Sequence, residues 1–195
     1  SYSVYSHQSE IKNGFITLSG GHRVGLCGTA VISGGEINSL RDISSINIRI
    51  ARQVYGCASG VLQAVGKNLR DGVLVAGAPS SGKTTILRDI ARQLSSGLCG
   101  DVRKVAVVDE RGELAGTYRG VPQNDLGPCC DVLDGYPKGE GILQAIRSLS
   151  PEFIICDEMG GLADVEAAAQ GLNAGVGMIS SVHAGSVREL LRRQQ

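Results

Sequence analysis

The sequence predicts an α/β fold: a P-loop core whose mainly parallel sheet is flanked by helices, with a smaller β-rich subdomain on its N-terminal side. Three observations carry that expectation. Residues 77–84 read Gly77-Ala78-Pro79-Ser80-Ser81-Gly82-Lys83-Thr84, a complete Walker A loop set between an apolar run and a helical pattern. Short apolar runs at 73–76, 105–108, 153–156 and 178–182 are separated by helix-sized segments, the pattern of buried parallel strands. The first forty residues instead alternate and turn at glycine pairs, as an antiparallel meander does.

Taken in order, 14–18 and 23–32 read as short strands bounded by Ser19-Gly20-Gly21 and Ser33-Gly34-Gly35. From 44 to 55 the pattern changes: Ile46, Ile50 and Val54 are spaced by four, which predicts a helix linking the two parts. A second helix is expected over 61–69. The division is therefore drawn as 1–58, the β-rich subdomain with its linking helix, and 59–195, the P-loop domain. After the Walker A loop, Ile86, Leu87, Ile90, Ala91 and Leu94 form an apolar helical stripe that Ser95-Ser96-Gly97 ends. The stretch 116–141 is rich in Gly and Pro and weakly periodic, and reads as a long functional loop.

Composition narrows the classes. At 195 residues there is room for one well-buried domain and a smaller one. Nineteen basic and nineteen acidic residues cancel, so no global field recruits nucleic acid or anionic lipid. No run approaches the ~20 apolar residues that cross a bilayer, and no signal peptide is visible; the fragment is expected to be soluble. The chain opens on Ser1 rather than Met and stops within 188–195, which reads as a helix without a cap, so a longer parent chain is expected. Six cysteines show no C-x-x-C pair. Free, reduced thiols in a cytoplasmic protein are the expectation, with the adjacent Cys129 and Cys130 as a redox alternative.

The chemistry follows from residue types. The loop 77–84 lets backbone N–H groups curl around phosphates, Lys83 brings a mobile cation to the β and γ oxygens, and Thr84 offers its hydroxyl to Mg²⁺. Thr85 and the helix behind it aim a partial positive charge at the same point. Ile154-Ile155-Cys156-Asp157-Glu158 reads as a Walker B strand that delivers two carboxylates to the carboxyl edge of the sheet, where α/β folds bind ligands. A second acidic tip, Val108-Asp109-Glu110-Arg111, lies between the two Walker elements, as in the RecA-like branch of P-loop ATPases. Glu110 is the candidate for orienting water and Glu158 its competitor. His183, ending the run Ser180-Ser181-Val182, is a candidate sensor beside the γ-phosphate.

These boxes, in this order, resemble the type II and type IV secretion ATPases: Lys83-Thr84-Thr85, the Asp109-Glu110 pair, Arg147 and Pro151-Glu152 leading into Asp157-Glu158, then His183. The 25-residue step from Glu158 to His183 is similar to that family's spacing and gives Glu158 its Walker B glutamate role. Met159-Gly160-Gly161 and Val182-His183-Ala184 depart from the family's usual continuations. A sporulation branch of that superfamily is indicated by Gly20-Gly21-His22-Arg23-Val24-Gly25, Arg41-Asp42-Ile43-Ser44-Ser45 and Gly135-Tyr136-Pro137-Lys138.

The resemblance implies a RecA-like P-loop NTPase core that hydrolyses MgATP to energise a channel between mother cell and forespore. It implies a homo-oligomer, a hexamer in the full-length protein, with arginines acting between subunits; Arg49, Arg52, Arg111 and Arg119 are candidates. It also implies a cytoplasmic, membrane-peripheral position in the mother cell, a polytopic membrane partner, and closure of the N-terminal part as the moving step. Two alternatives stay open. One is a nucleic-acid-handling ATPase, against which stand zero net charge and only two Phe, five Tyr and no Trp to stack bases. The other is a nucleotide-gated scaffold with little turnover.

Overall fold

The computed structural model describes residue 11 and residues 14–192, so the first ten residues of the 1–58 part and the end of the C-terminal pattern lie outside the described residues. The chain divides into two compact units: 1–52 with 116–123, and 53–115 with 124–195.

In the first unit, β1 (Phe15–Thr17), β2 (Arg23–Ser33) and β3 (Glu36–Arg49) form an antiparallel sheet in the order β1-β2-β3. The meander expected from the glycine pairs is present. Gly34 and Gly35, at φ 62° and 86°, make the two-residue turn that joins Ser33 to Glu36, and both positions need the left-handed conformation that glycine supplies without strain. The helix expected over 44–55 is absent: 44–49 is the second half of β3. A spacing of four is even, so Ile46 and Ile50 share a strand face as readily as a helix face. With Ile48 between them, these β-branched residues favour the extended form, and pairing of Ile46 with Leu26 and Ile48 with Val24 fixes it.

The second unit is a five-stranded parallel sheet ordered β4 (Val73–Gly77), β8 (Gly177–His183), β7 (Phe153–Cys156), β5 (Val105–Asp109), β6 (Cys130–Asp134). The helices are α1 (Ser59–Val65), α2 (Lys83–Ser95), α3 (Lys138–Leu149), α4 (Leu162–Asn173) and α5 (Val187–Arg192). Strand parity builds two cores. Val105, Val107, Phe153, Ile155 and Ile179 point to one face, against Leu87, Ile90, Ala91 and Leu94 of α2. Ala106, Val108, Ile154, Cys156 and Met178 point to the other, with Ile142 and Ala145 of α3 and Ala167 of α4. Burial on both faces explains why these strands read as unbroken apolar runs. The stretch 116–141 is not one long loop; it contains β6 and the start of α3.

One buried acid braces the entry to the core. Asp89, 1% exposed, accepts from the backbone N–H of Ala58 at 2.9 Å, from Gln93 at 2.7 Å and from Arg92 at 2.9 Å. Burial pushes its carboxyl up, but these donors outweigh burial and hold it below its usual 3.8. A depressed value means the stabilisation is present above 3.8 and is lost as pH falls through the depressed value. Asp89→Asn is therefore expected to lower stability by about 1–3 kcal/mol at neutral pH. Urea melts at descending pH should show the gap to the parent narrowing once its own carboxyl is protonated.

Among the described residues, no helix is long and apolar enough to cross a membrane. All six cysteines are unbridged. Burial pushes Cys130 up to about 12 and Cys156 up to about 11, which leaves both as thiols rather than reactive thiolates at neutral pH.

Candidate nucleotide site

Parallel strands deliver their carboxyl ends to one edge, and here the registers align those ends. Gly77 stands beside His183, Cys156 beside Ser180, and Val108 beside Cys156. The residues that immediately follow β4, β5 and β7 therefore meet around the start of α2.

The loop 77–84 is shaped by backbone conformation. Ser80 and Gly82 sit at φ 59° and 91°, and a Cβ on Gly77 would stand 2.6 Å from the Ser81 hydroxyl. Gly82 caps α2, so the helix N-terminus opens into the loop. Lys83 is 6% exposed; its ammonium donates to the carbonyls of Gly77 at 3.0 Å and Ala78 at 2.8 Å and meets Nδ1 of His183 at 3.0 Å. An ammonium only donates, so Nδ1 accepts and Nε2 carries the ring proton. That Nε2 faces the Glu158 carboxylate, which also pairs with Arg111 at 3.3 Å.

The Thr84 hydroxyl donates to Asp157 at 2.7 Å, joining the loop to the tip of β7. Asp157 also accepts from the Ser181 hydroxyl, and the Glu158 N–H lies 3.0 Å from Asp157 and 3.1 Å from Ser181. Glu158 itself has φ 34°, an unusual conformation for a residue with a side chain, and one that clusters at working sites. The structure thus brings Lys83, Thr84, Asp157, Glu158 and His183 into one linked group.

The second acidic tip divides its labour. Asp109 is buried and accepts backbone N–H groups from Glu113 at 2.8 Å, Leu114 at 3.1 Å and Ala115 at 2.7 Å. Burial outweighs those three amides and leaves its carboxyl raised above its usual value; it organises the loop. Glu110 is more open, 42% exposed at its side chain, and lies 3.6 Å from Lys138. A cleft of about 280 Å³, open solvent included, joins this tip to Asp157 and Glu158.

Two participants were not among the site residues expected from the sequence. Arg88, one turn into α2, donates to the Glu113 carbonyl at 3.0 Å and 3.2 Å. Burial outweighs the attraction of Asp109, Asp157 and Glu113 and leaves its guanidinium lowered. Lys138, 8% exposed, reaches the Glu158 carbonyl at 2.5 Å. A clue to Lys138 was its place directly after Pro137, a cation at the positive end of a helix.

No three His, Cys, Asp or Glu groups converge as a ready-made metal cage among the described residues. The hydroxyl of Thr84 and the carboxylates of Asp157 and Glu158 are hard oxygen donors. They fit Mg²⁺, which takes one or two protein oxygens and completes its shell with water and phosphate.

The family model described as sporulation stage III, protein AA matches residues 1–195. The chain is 46% identical over 193 residues to the stage III sporulation protein AA of Bacillus subtilis (strain 168), covering 98% of this chain and 63% of that protein. It is 27% identical to the uncharacterized protein ycf45 of Porphyra purpurea, covering 90% of this chain and 30% of that one. The chain thus spans less than two thirds of the length of these relatives. Among solved structures it is similar to the Legionella pneumophila ATPase DotB (19% identity, TM-score 0.60, 88% of this chain and 45% of that chain). It is also similar to the pilus retraction motor PilT with bound ADP (15%, 0.61, 98% and 54%). At such identities the likeness is one of fold, and the fold is the RecA-like P-loop core with its small antiparallel sheet. Matched along its whole length, the chain belongs to the sporulation stage III, protein AA family.

Proposed function

We propose that this chain is the nucleotide-hydrolysing core of an ATPase that acts in endospore formation, where MgATP turnover energises a secretion-like channel between mother cell and forespore. The observation that carries the reading is the Thr84–Asp157 hydrogen bond of 2.7 Å. It joins the phosphate loop to a strand tip whose carboxylates can hold a hydrated Mg²⁺. Bound Mg²⁺ would neutralise charge on the phosphate oxygens, with Thr84 and Asp157 as its protein-side partners. Lys83 and the loop amides would clamp the β and γ phosphates. Of the two carboxylates that compete to orient water, Glu158 is favoured over Glu110, because it is tied to His183 and, through its N–H, to Ser181. His183 bridges Lys83 and Glu158 and is thereby suited to sense loss of the γ-phosphate.

The membership and the fold support an ATPase at family level; the channel, the hexameric ring and the membrane partner rest on the resemblance to secretion ATPases, in which arginines complete sites between subunits. Arg49, Arg52, Arg111 and Arg119 remain the candidates for that role; within its own chain Arg111 also pairs with Glu158. The test is the ATPase rate of the full-length protein against its concentration. Specific activity is expected to rise as rings assemble; a flat specific activity would point to self-contained sites. Nucleotide binding without turnover at any concentration would favour the scaffold. Salt-dependent stimulation by single-stranded nucleic acid would favour the nucleic-acid reading.

A further inference from the structure

Lys138 occupies a place that local physics disfavours twice. It is the first residue of α3, where the helix presents partial positive charge and a cation is unwelcome. It is also 8% exposed, and an ammonium loses several kcal/mol of hydration on burial unless it is paired. A sequence that only needed to start this helix would place an acid or a small polar residue there. Positions that break a local rule in this way are expected at working sites.

The partners show what the lysine is for. Its Nζ donates to the Glu158 carbonyl at 2.5 Å and stands 3.6 Å from the Glu110 carboxylate. It therefore links the tip of β5 to the tip of β7. The carbonyl it holds belongs to the residue at φ 34°, whose turn aims the Glu158 carboxylate at His183 and Arg111. An off-region backbone persists only where its surroundings over-determine it, and a charge-assisted hydrogen bond on that carbonyl is such a restraint. Asp109, Asp157 and Glu113 line the same cleft, but Asp109 is occupied by three loop amides and Asp157 by Thr84 and Ser181. Among the described residues, no other lysine lines that cleft.

We propose that Lys138 is a positioning residue for nucleotide hydrolysis: it fixes the Glu158 turn and holds Glu110 in the same frame, so that the water-orienting carboxylate is set before nucleotide arrives. This rests on the hydrolysis reading above. Its polar partners, Glu158 and Glu110, lie outside loop 77–84, so its removal should spare nucleotide binding and impair the chemical step.

The experiment compares Lys138→Met and Lys138→Arg with the parent full-length protein, following MgATP turnover, equilibrium binding of a fluorescent ADP and thermal melting. Met keeps the length and removes the donor; Arg restores a cation. The expected result is a kcat lowered about 10- to 100-fold in K138M, with KM and ADP affinity within about threefold, the parent's melting behaviour, and partial recovery in K138R. A K138M protein with parental kcat overturns the proposal, as does a loss of ADP affinity matching the loss of kcat. Should K138M fail to fold, Lys138→Gln takes its place: a lowered kcat with ADP affinity kept supports the role, and a parental kcat, or a kcat falling together with ADP affinity, overturns it. Absence of turnover in the parent itself would overturn the hydrolysis reading and this one with it, which separates that failure from one confined to Lys138.

Discussion

Lys83→Ala in the full-length protein is expected to lower kcat/KM for MgATP by about 10³-fold or more, about 4 kcal/mol of transition-state stabilisation. The magnitude follows from location. The ammonium is 6% exposed, so its attraction for a phosphate acts in surroundings far less screening than water. Phosphoryl transfer depends almost wholly on positioning and charge, so losing the one cation of the loop cannot be compensated by covalent chemistry. The substitution also removes one of two donors from the Gly77 and Ala78 carbonyls, which keep the N–H groups of Ala184 and Ser81, and takes the donor from His183 Nδ1. A melting curve without nucleotide should accompany the phosphate-release assay. A folded variant with parental turnover would remove Lys83 from the mechanism.

Glu158→Gln is expected to separate binding from turnover. The amide keeps the size of the side chain, and the Thr84–Asp157 and Ser181–Asp157 links do not pass through the Glu158 carboxylate. ADP affinity should remain within a few-fold. Turnover should fall about 10²-fold or more, because a neutral amide no longer draws a proton from water or meets His183 as an anion. Glu110→Gln is the matched comparison: its carboxylate is more open and pairs with Lys138 rather than with the histidine, so its loss should be the smaller. Rates ranked the other way would assign the water to Glu110.

Much of the core was legible because each buried strand presents two parities to two apolar layers. Val105–Asp109 and Phe153–Cys156 therefore show as runs whose last residues must lie at the ligand edge. Walker A was legible for a different reason: its loop needs left-handed backbone at Gly82 and close approach at Gly77, constraints that few residue types satisfy. The first unit was harder to read. Ile46, Ile50 and Val54 fit a helix and a strand alike, and the pairing of Ile46 with Leu26 and of Ile48 with Val24 across the hairpin decides for 44–49. β6 was missed because Gly127, Pro128 and Gly135 surround five residues of mixed polarity, and its place at the sheet's end is set by Val105–Asp109 rather than by its own pattern. Lys138 and Arg88 are lone basic residues whose meaning lies in partners twenty or more positions away. No periodicity in the letters could mark them.

The most direct test is a structure of the full-length protein with Mg²⁺ and a non-hydrolysable ATP analogue. The account predicts the triphosphate wrapped by the amides of 78–83, its γ-phosphate within hydrogen-bonding distance of Lys83 Nζ, and Mg²⁺ on the Thr84 hydroxyl with Asp157 in its shell of water. A nucleotide seated away from Lys83, or a metal held without Thr84 and Asp157, would contradict it.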